Sequence, residues 1–507
     1  MKYTTIVFSV ILLSGNILLA NCDADFVEID DICYWESDIF VLQDIINTNS
    51  LDIENPVELG DQIWSEGRLV YLELNFALLS YIPNNFGNLN ELTELHLSSN
   101  QFSILPDSFG YLDNLVILDL SYNQLFELPS SFGNIGNLTE LDLSHNQLTY
   151  LPESFGFISL LNTLNLSENR LAVLPSNFGS LVNLLDLDLS SNQLYYLDDS
   201  FGDLVNLIYL DLSSNHLSLL PENFGQIVNL EELILYYNQL TDLPESFCNL
   251  INLETCYLHM NELTSLPENI GNLTNLKKIY LQINQLTYLP ESIEYLDSLE
   301  IASLYLNELT SLPESIGNLS NLKKLLVYEN SINTLPASLW NLDELNVLKL
   351  HSNELSDEIP EDICNLTNLV WSVDNNSPEE STIFNNNYCP EYPDCLVNFI
   401  GVQDISDCEI INIENNFVEL SQFTLFTAYP NPFNPTTTIS YQLQAPSSVL
   451  LDIYNMNGQL IEQLVDNRVE TGYHSVVWDA NNYTSGIYFT KLTVNNLTST
   501  QKLILLK

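Results

Sequence analysis

Six histidines, eight cysteines and 67 Asp and Glu residues carry whatever reactive chemistry this 507-residue chain possesses. Their spacing does not assemble a catalytic centre. There is no GxSxG elbow, HExxH pair, Gly-rich phosphate loop or EF-hand loop, so an enzyme is not expected. No CxxC or Cys/His zinc pattern occurs either. Cys22 and Cys33 read as a local bridge. Cys364, Cys389, Cys395 and Cys408 form a cluster for which three connectivities are open, and Cys248 and Cys256 read as buried free thiols.

Two sets of side chains recur at positions suited to non-covalent chemistry. Asp119, Asp142, Asp188 and Asp211 fall in one phase of a 23-residue period. Stacked about 5 Å apart they would repel, which makes the stripe a candidate for a divalent cation such as Ca2+ or for a basic ligand segment. Further along, equivalent positions become Tyr236, Tyr257, His259, Tyr280, Gln282, Tyr305, Tyr328, Lys349 and His351, with Lys278 and Lys324 beside them. Tyrosine joins a large apolar face to a hydroxyl, a combination suited to protein or sugar recognition.

The elements that must position these residues follow from a tandem repeat. Asparagines recur from Asn100 to Asn353 every 23 residues without a slip, each closing an LxxLxLxxN stretch such as Leu138 to Asn146. The LxL alternation predicts a short strand with leucines on one face and variable residues on the other. An Asn at the following turn offers both a donor and an acceptor to backbone groups that burial removes from water. Prolines at the same period, with Asp198 the one replacement, set φ where the chain returns. Eight phenylalanines from Phe86 to Phe247, succeeded by Ile270, Ile293, Ile316, Leu339 and Ile363, predict a hydrophobic spine opposite the strands. No single unit can bury both faces, so the coils must stack and their open ends need caps.

These units resemble leucine-rich repeats of the 23-residue LPESFGNLxNLxxLxLSxNQL kind, over about residues 69–370. The resemblance implies a solenoid with a parallel sheet on its concave face and irregular or 3-10 segments on its convex side. It also means that the LDLS stripe carrying the aspartates is family consensus. Residues 22–68, with Trp35, Trp64 and the apolar-periodic stretch from Phe40 to Ile46, fit an N-terminal cap, and residues 371–422 a Cys-containing C-terminal cap and linker.

From residue 423 to 507 the period vanishes and short alternating runs predict an all-β, immunoglobulin-like sandwich. Tyr429-Pro430-Asn431-Pro432-Phe433-Asn434-Pro435, Gly486-Ile487-Tyr488 and a closing Lys502 to Lys507 strand resemble the C-terminal sorting domain of type IX secretion cargo. That resemblance implies a tail read by the outer-membrane translocon and an extracellular or cell-surface destination. At the other end, Lys2 and the apolar run from Ile6 to Ala20 read as a cleaved signal peptide, residues 1–21, and no other stretch is long and apolar enough to span a membrane.

Charge narrows the partners. Twelve Lys and Arg residues against 67 acids leave a net charge of -55, which argues against nucleic acid and anionic membrane surfaces as partners and leaves cations or basic partners open. The expectation is an exported recognition protein that binds a protein or carbohydrate ligand without a cofactor. The alternative is an adhesive or matrix component with cation-dependent attachment and no discrete ligand.

Overall fold

The computed structural model describes residues 22–356, 358–406, 408, 423–456, 458–495 and 497–507. The signal-peptide segment 1–21 and the linker 409–422 lie outside the described residues. The chain divides into two units, Met1–Cys408 and Glu409–Lys507.

The first unit opens with a hairpin of β1 (Phe26–Ile29) and β2 (Ile32–Trp35), closed by the Cys22–Cys33 disulfide. Helix α1 (Glu36–Asn49) follows, and its Val41, Leu42, Ile45 and Ile46 are buried against the first coils, whereas Phe40 remains 60% exposed. Buried Asp38 accepts from the Arg68 guanidinium at 2.9 Å and from the Leu69 amide at 3.0 Å, which ties the helix to the start of the sheet. Strand β3 (Asp61–Ser65) pairs antiparallel with β4 (Arg68–Glu73) and closes the sheet edge.

Twelve three-residue strands then add in parallel, one per coil: β5 (Glu94–His96), β6 (Ile117–Asp119), β7 (Glu140–Asp142), β8 (Thr163–Asn165), β9 (Asp186–Asp188), β10 (Tyr209–Asp211), β11 (Glu232–Ile234), β12 (Thr255–Tyr257), β13 (Lys278–Tyr280), β14 (Ile301–Ser303), β15 (Lys324–Leu326) and β16 (Val347–Lys349). Register is set coil by coil, so residues 23 apart lie side by side, as Leu210 does with Leu233 and Leu187. The central residue of each strand is buried, because it faces the inside of the coil.

The recurrent asparagines hold the turns together. Asn192 accepts at Oδ1 from the Leu171 amide of the preceding coil at 2.9 Å, and its Nδ2 donates to the carbonyls of Leu166 and Leu189 at 2.9 and 3.1 Å. The residue before each of these asparagines, from Ser99 to Ser352, has φ between 52° and 59°, the left-handed region, although none is glycine and one is the β-branched Ile283. The amide at this position donates to the next coil, as Ile283 does to the Tyr305 carbonyl at 3.0 Å. Stacking therefore offsets a backbone cost of about 1–2 kcal/mol per residue.

On the return side short 3-10 segments carry the spine. The rings from Phe86 to Phe247 stack nearly parallel, with centroids 5.5 to 6.5 Å apart. Glycine follows the ring in most coils because the next coil comes so close: a Cβ on Gly225 would lie 1.7 Å from the Ser246 carbonyl oxygen. Cys248 takes that place one coil later, and both it and Cys256 are buried free thiols.

The C-terminal end departs from the sequence-based expectation in two ways. First, the ladder continues past residue 370. Asn386 accepts from the Leu355 amide at 3.1 Å and donates to the Leu350 and Ile383 carbonyls, and Gln403 then donates to the Ile383 and Ile400 carbonyls. Disulfides Cys364–Cys395 and Cys389–Cys408 staple this closure and resolve the open connectivity. Second, the strap of residues 372–380 is inserted where the next strand would run, and it folds back over the wall. Lys349, 5% exposed, donates to Asn375 Oδ1 and to the Ser377 carbonyl. His351, 2% exposed, is hydrogen-bonded to Thr382 at 2.6 Å and stacked between Tyr328 and Phe384. Both were expected to face ligand. They are interior instead, because the chain itself covers them.

The second unit comprises a three-stranded sheet of β17 (Phe423–Leu425), β18 (Thr436–Leu443) and β21 (Gly472–Asp479), and a four-stranded sheet of β19 (Ser447–Asn455), β20 (Leu460–Val469), β22 (Gly486–Val494) and β23 (Leu497–Leu505), all antiparallel. Trp478, Tyr441, Leu451, Ile453 and Leu492 fill its core. Within the proline-rich lead-in, Asn431 donates to the Lys502 carbonyl and accepts from the Ile504 amide at 2.8 Å each, which pins the motif to the last strand.

Two stability measurements follow. Asn192→Ala strands one buried amide and two buried carbonyls and is expected to cost about 3 kcal/mol in urea denaturation. Asn206→Ala, which removes one exposed bond to the Val182 carbonyl, should cost well under 1 kcal/mol by comparison. His351 is held neutral because burial, with Lys349 adding to it, lowers its pKa from 6.5 to about 4. Between those values only the unfolded chain binds the proton, so this contribution is intact above pH 6.5 and declines as pH falls toward 4. Over that range the wild type should lose on the order of 3 kcal/mol more than His351→Gln in matched urea titrations.

Candidate functional site

The concave wall is built from the first and third residues of each strand and from the residue two places beyond. Parallel pairing in register places identical positions one strand apart, about 4.8 Å, so a column of like residues forms wherever the sequence repeats itself.

In the N-terminal half that column is acidic. Asp119 lies beside Asp142, and Asp188 beside Asp211. Each carboxylate accepts at Oδ1 from the amide two residues on: Ser121 at 2.9 Å, Ser144 at 2.8 Å, Ser190 at 2.8 Å and Ser213 at 2.7 Å. Burial raises the Asp142 and Asp211 pKa values, the serine bonds oppose that rise, and the neighbouring aspartate adds to it. The stripe therefore has a structural task, capping the strand ends, that its spacing alone did not disclose. Among the described residues no group of three or more His, Cys, Asp or Glu converges to hold a metal ion.

In the C-terminal half the columns become aromatic. Tyr236 stacks on His259 at 4.7 Å, Tyr257 on Tyr280 at 4.8 Å with planes 2° apart, and Tyr305 on Tyr328 at 4.4 Å. These separations match the strand spacing and fall short of the 5.5–6.5 Å between spine rings on the return side, as expected where an arc is narrower inside than outside. All five tyrosines are half-buried, with an edge or face open. Burial raises the Tyr257 and Tyr328 pKa values, so both hydroxyls stay protonated donors.

Between the stacked pairs, Gln282 is 8% exposed, and among the described residues neither its Oε1 nor His259 Nδ1 has a hydrogen-bond partner. Burial lowers the His259 pKa, which favours the neutral ring. Lys278 and Lys324 occupy the first position of β13 and β15, and Lys324 Nζ meets the Glu379 carboxylate at 2.6 and 2.7 Å. The structure thus brings Tyr236, Tyr257, His259, Tyr280, Gln282, Tyr305 and Tyr328 onto one wall and takes Lys349 and His351 out of it. Sequence reasoning passed over Glu379, Asn375, Thr382 and Phe384. The Thr382-Ile383-Phe384-Asn385-Asn386 stretch retains the strand-and-turn pattern that could have revealed the last two.

Comparison with known proteins agrees with this architecture. Residues 128–171 and 161–217, and separately 91–112, 114–135, 229–250 and 344–366, match leucine-rich repeat families. Residues 427–506 match the secretion system C-terminal sorting domain. No curated protein matches the chain by sequence. Among solved structures, a leucine-rich repeat protein of Leptospira interrogans is 36% identical, over 64% of this chain and 79% of that one, with a TM-score of 0.56. TLR13, solved with a single-stranded RNA, is 28% identical over 66% of this chain but only 49% of its own length, at TM-score 0.53. The LRIM1/APL1C complex, at 23% identity and TM-score 0.53, shares the fold alone. Repeats of this kind are typically non-catalytic binding scaffolds, and the tail directs secretion to the cell surface or beyond. The chain belongs to the leucine-rich repeat proteins and ends in a type IX secretion system sorting domain.

Proposed function

We propose that strands β11 to β15 present a recognition wall that captures a protein or glycan ligand without covalent chemistry, while residues 423–507 deliver the molecule through the type IX translocon. The observation that carries this reading is the run of stacked rings, Tyr236 on His259, Tyr257 on Tyr280 and Tyr305 on Tyr328. A tyrosine already fixed against its neighbour loses little rotamer freedom on binding and offers both an apolar face and a hydroxyl. Such residues are enriched among those that dominate binding energy. Gln282 and His259 add polar atoms between the rings, and the leucines behind them hold the wall rigid.

Replacing Tyr257, Tyr280 and Tyr305 together by Ala is expected to weaken capture on glycan and proteome arrays by at least about 100-fold. Because the strands are held by the buried leucines and asparagines, the melting temperature should move by only a few degrees, roughly. Unaltered capture overturns the reading. Broad attachment that is sensitive to salt and cations, and indifferent to the three substitutions, supports the adhesive alternative instead.

A further inference from the structure

Positive charge is distributed very unevenly in the first unit. From residue 69 to 408 there are six basic residues, Arg170, Lys277, Lys278, Lys323, Lys324 and Lys349, and five of them fall within residues 277–349. Their surroundings differ. Lys277 is paired with Glu254 at 2.7 Å and Lys323 with Glu300 at 3.0 Å, both between neighbouring coils. Lys349 is buried under the strap. Lys278 and Lys324 remain on the wall, and among the described residues Lys278 makes no ion pair. Register places them two strands apart, Lys278 beside Ile301 and Ile301 beside Lys324, which is roughly 10 Å. An extended peptide in the polyproline II conformation rises about 3.1 Å per residue with three residues per turn, so carboxylates three residues apart lie on one side, about 9 Å apart, and would span the two ammonium groups.

The strap supplies a peptide carboxylate at one of these positions already. Its base is pinned by Ser381 N donating to the Val370 carbonyl at 2.7 Å and Ser372 N to the Ser381 carbonyl at 2.8 Å, and its middle by Lys349. Glu379, near its end, reaches Lys324 through an ion pair whose side chains are 68% and 29% exposed. An open pair of this kind is individually weak, so Glu379 can rotate away without the strap lifting.

We propose that Lys278 and Lys324, flanked by Tyr257 and Tyr280, form a docking site for an extended acidic peptide, and that Glu379 occupies the Lys324 half in cis until such a peptide displaces it. This rests on the concave wall being the binding face. The net charge of -55 does not forbid it, because at physiological salt charges beyond about 8 Å are screened and the local lysines dominate. The cis occupant is the reason to choose a peptide over an acidic sugar: the carboxylate seen on Lys324 comes from polypeptide.

The test uses the full chain and a fluorescein-labelled oligoglutamate peptide, followed by fluorescence anisotropy at 0.05 and about 0.15 M salt. The wild type should bind in a salt-sensitive manner. Glu379→Gln should bind roughly two- to five-fold more tightly, because the internal competitor is gone. Lys278→Gln should bind at least about two-fold more weakly, because one of the two charge contacts is lost. Both substitutions lie on half-buried or exposed side chains, so matching melting curves confirm that folding is unchanged. Equal or weaker binding by Glu379→Gln overturns the proposal, as does no binding by either protein. Binding of polygalacturonate without oligoglutamate binding also overturns it, in favour of an acidic sugar. If the peptide fails while the triple tyrosine variant still loses array capture, the wall remains the binding face and only its acidic-peptide assignment falls.

Discussion

The constraint on which the first unit depends is the desolvation of backbone at its turns. A coil that folds back on itself every 23 residues buries amides and carbonyls that no regular strand or helix can pair. The asparagine side chain meets that demand with one acceptor and one amide donor directed into two coils at once, as Asn192 does with Leu171, Leu166 and Leu189. No coil is therefore complete without its neighbour. The left-handed residue before each asparagine is the corollary: its conformation is tolerated at Ile283 or Tyr237 because the amide that it presents is taken up by the next coil.

Dependence on neighbours makes the ends the weak points, and both are built differently from the middle. At the N-terminus an antiparallel strand, β3, ends the sheet, and α1 covers the first coils through Val41 and Ile45 with Asp38 anchored to Arg68. At the C-terminus two irregular coils carry the ladder on through Asn386 and Gln403 and are stapled by two disulfides. Three disulfides in all agree with export, since such bonds persist outside the reducing cytosol.

The same register that satisfies the backbone also composes the wall. Because positions 23 residues apart become neighbours, any change of residue type that persists over several repeats becomes a column rather than a scatter of points. Aspartates become a line of carboxylates restrained by serine amides, and tyrosines become stacked platforms. Where the pattern is interrupted by the strap, the column closes over: His351 ends up between Tyr328 and Phe384 with no face open.

Periodic features were legible without coordinates. The parallel strands, the asparagine ladder, the phenylalanine spine and the membership of Tyr236 through Tyr328 in one surface follow from spacing, because every coil meets a near copy of itself and local pattern then decides local structure. The tail was legible for a related reason, alternation between turns and a proline motif. Features set where the period breaks were not. The pairing of Cys364 with Cys395, the coil rebuilt around Asn386, the burial of Lys349 under Ser377 and that of His351 against Thr382 and Phe384 all involve residues beyond 371, where the repeat is interrupted. Only the tertiary structure settles these, since an inserted segment has no neighbouring copy to dictate its path and its position is chosen by long-range contacts such as Lys349 with the Ser377 carbonyl.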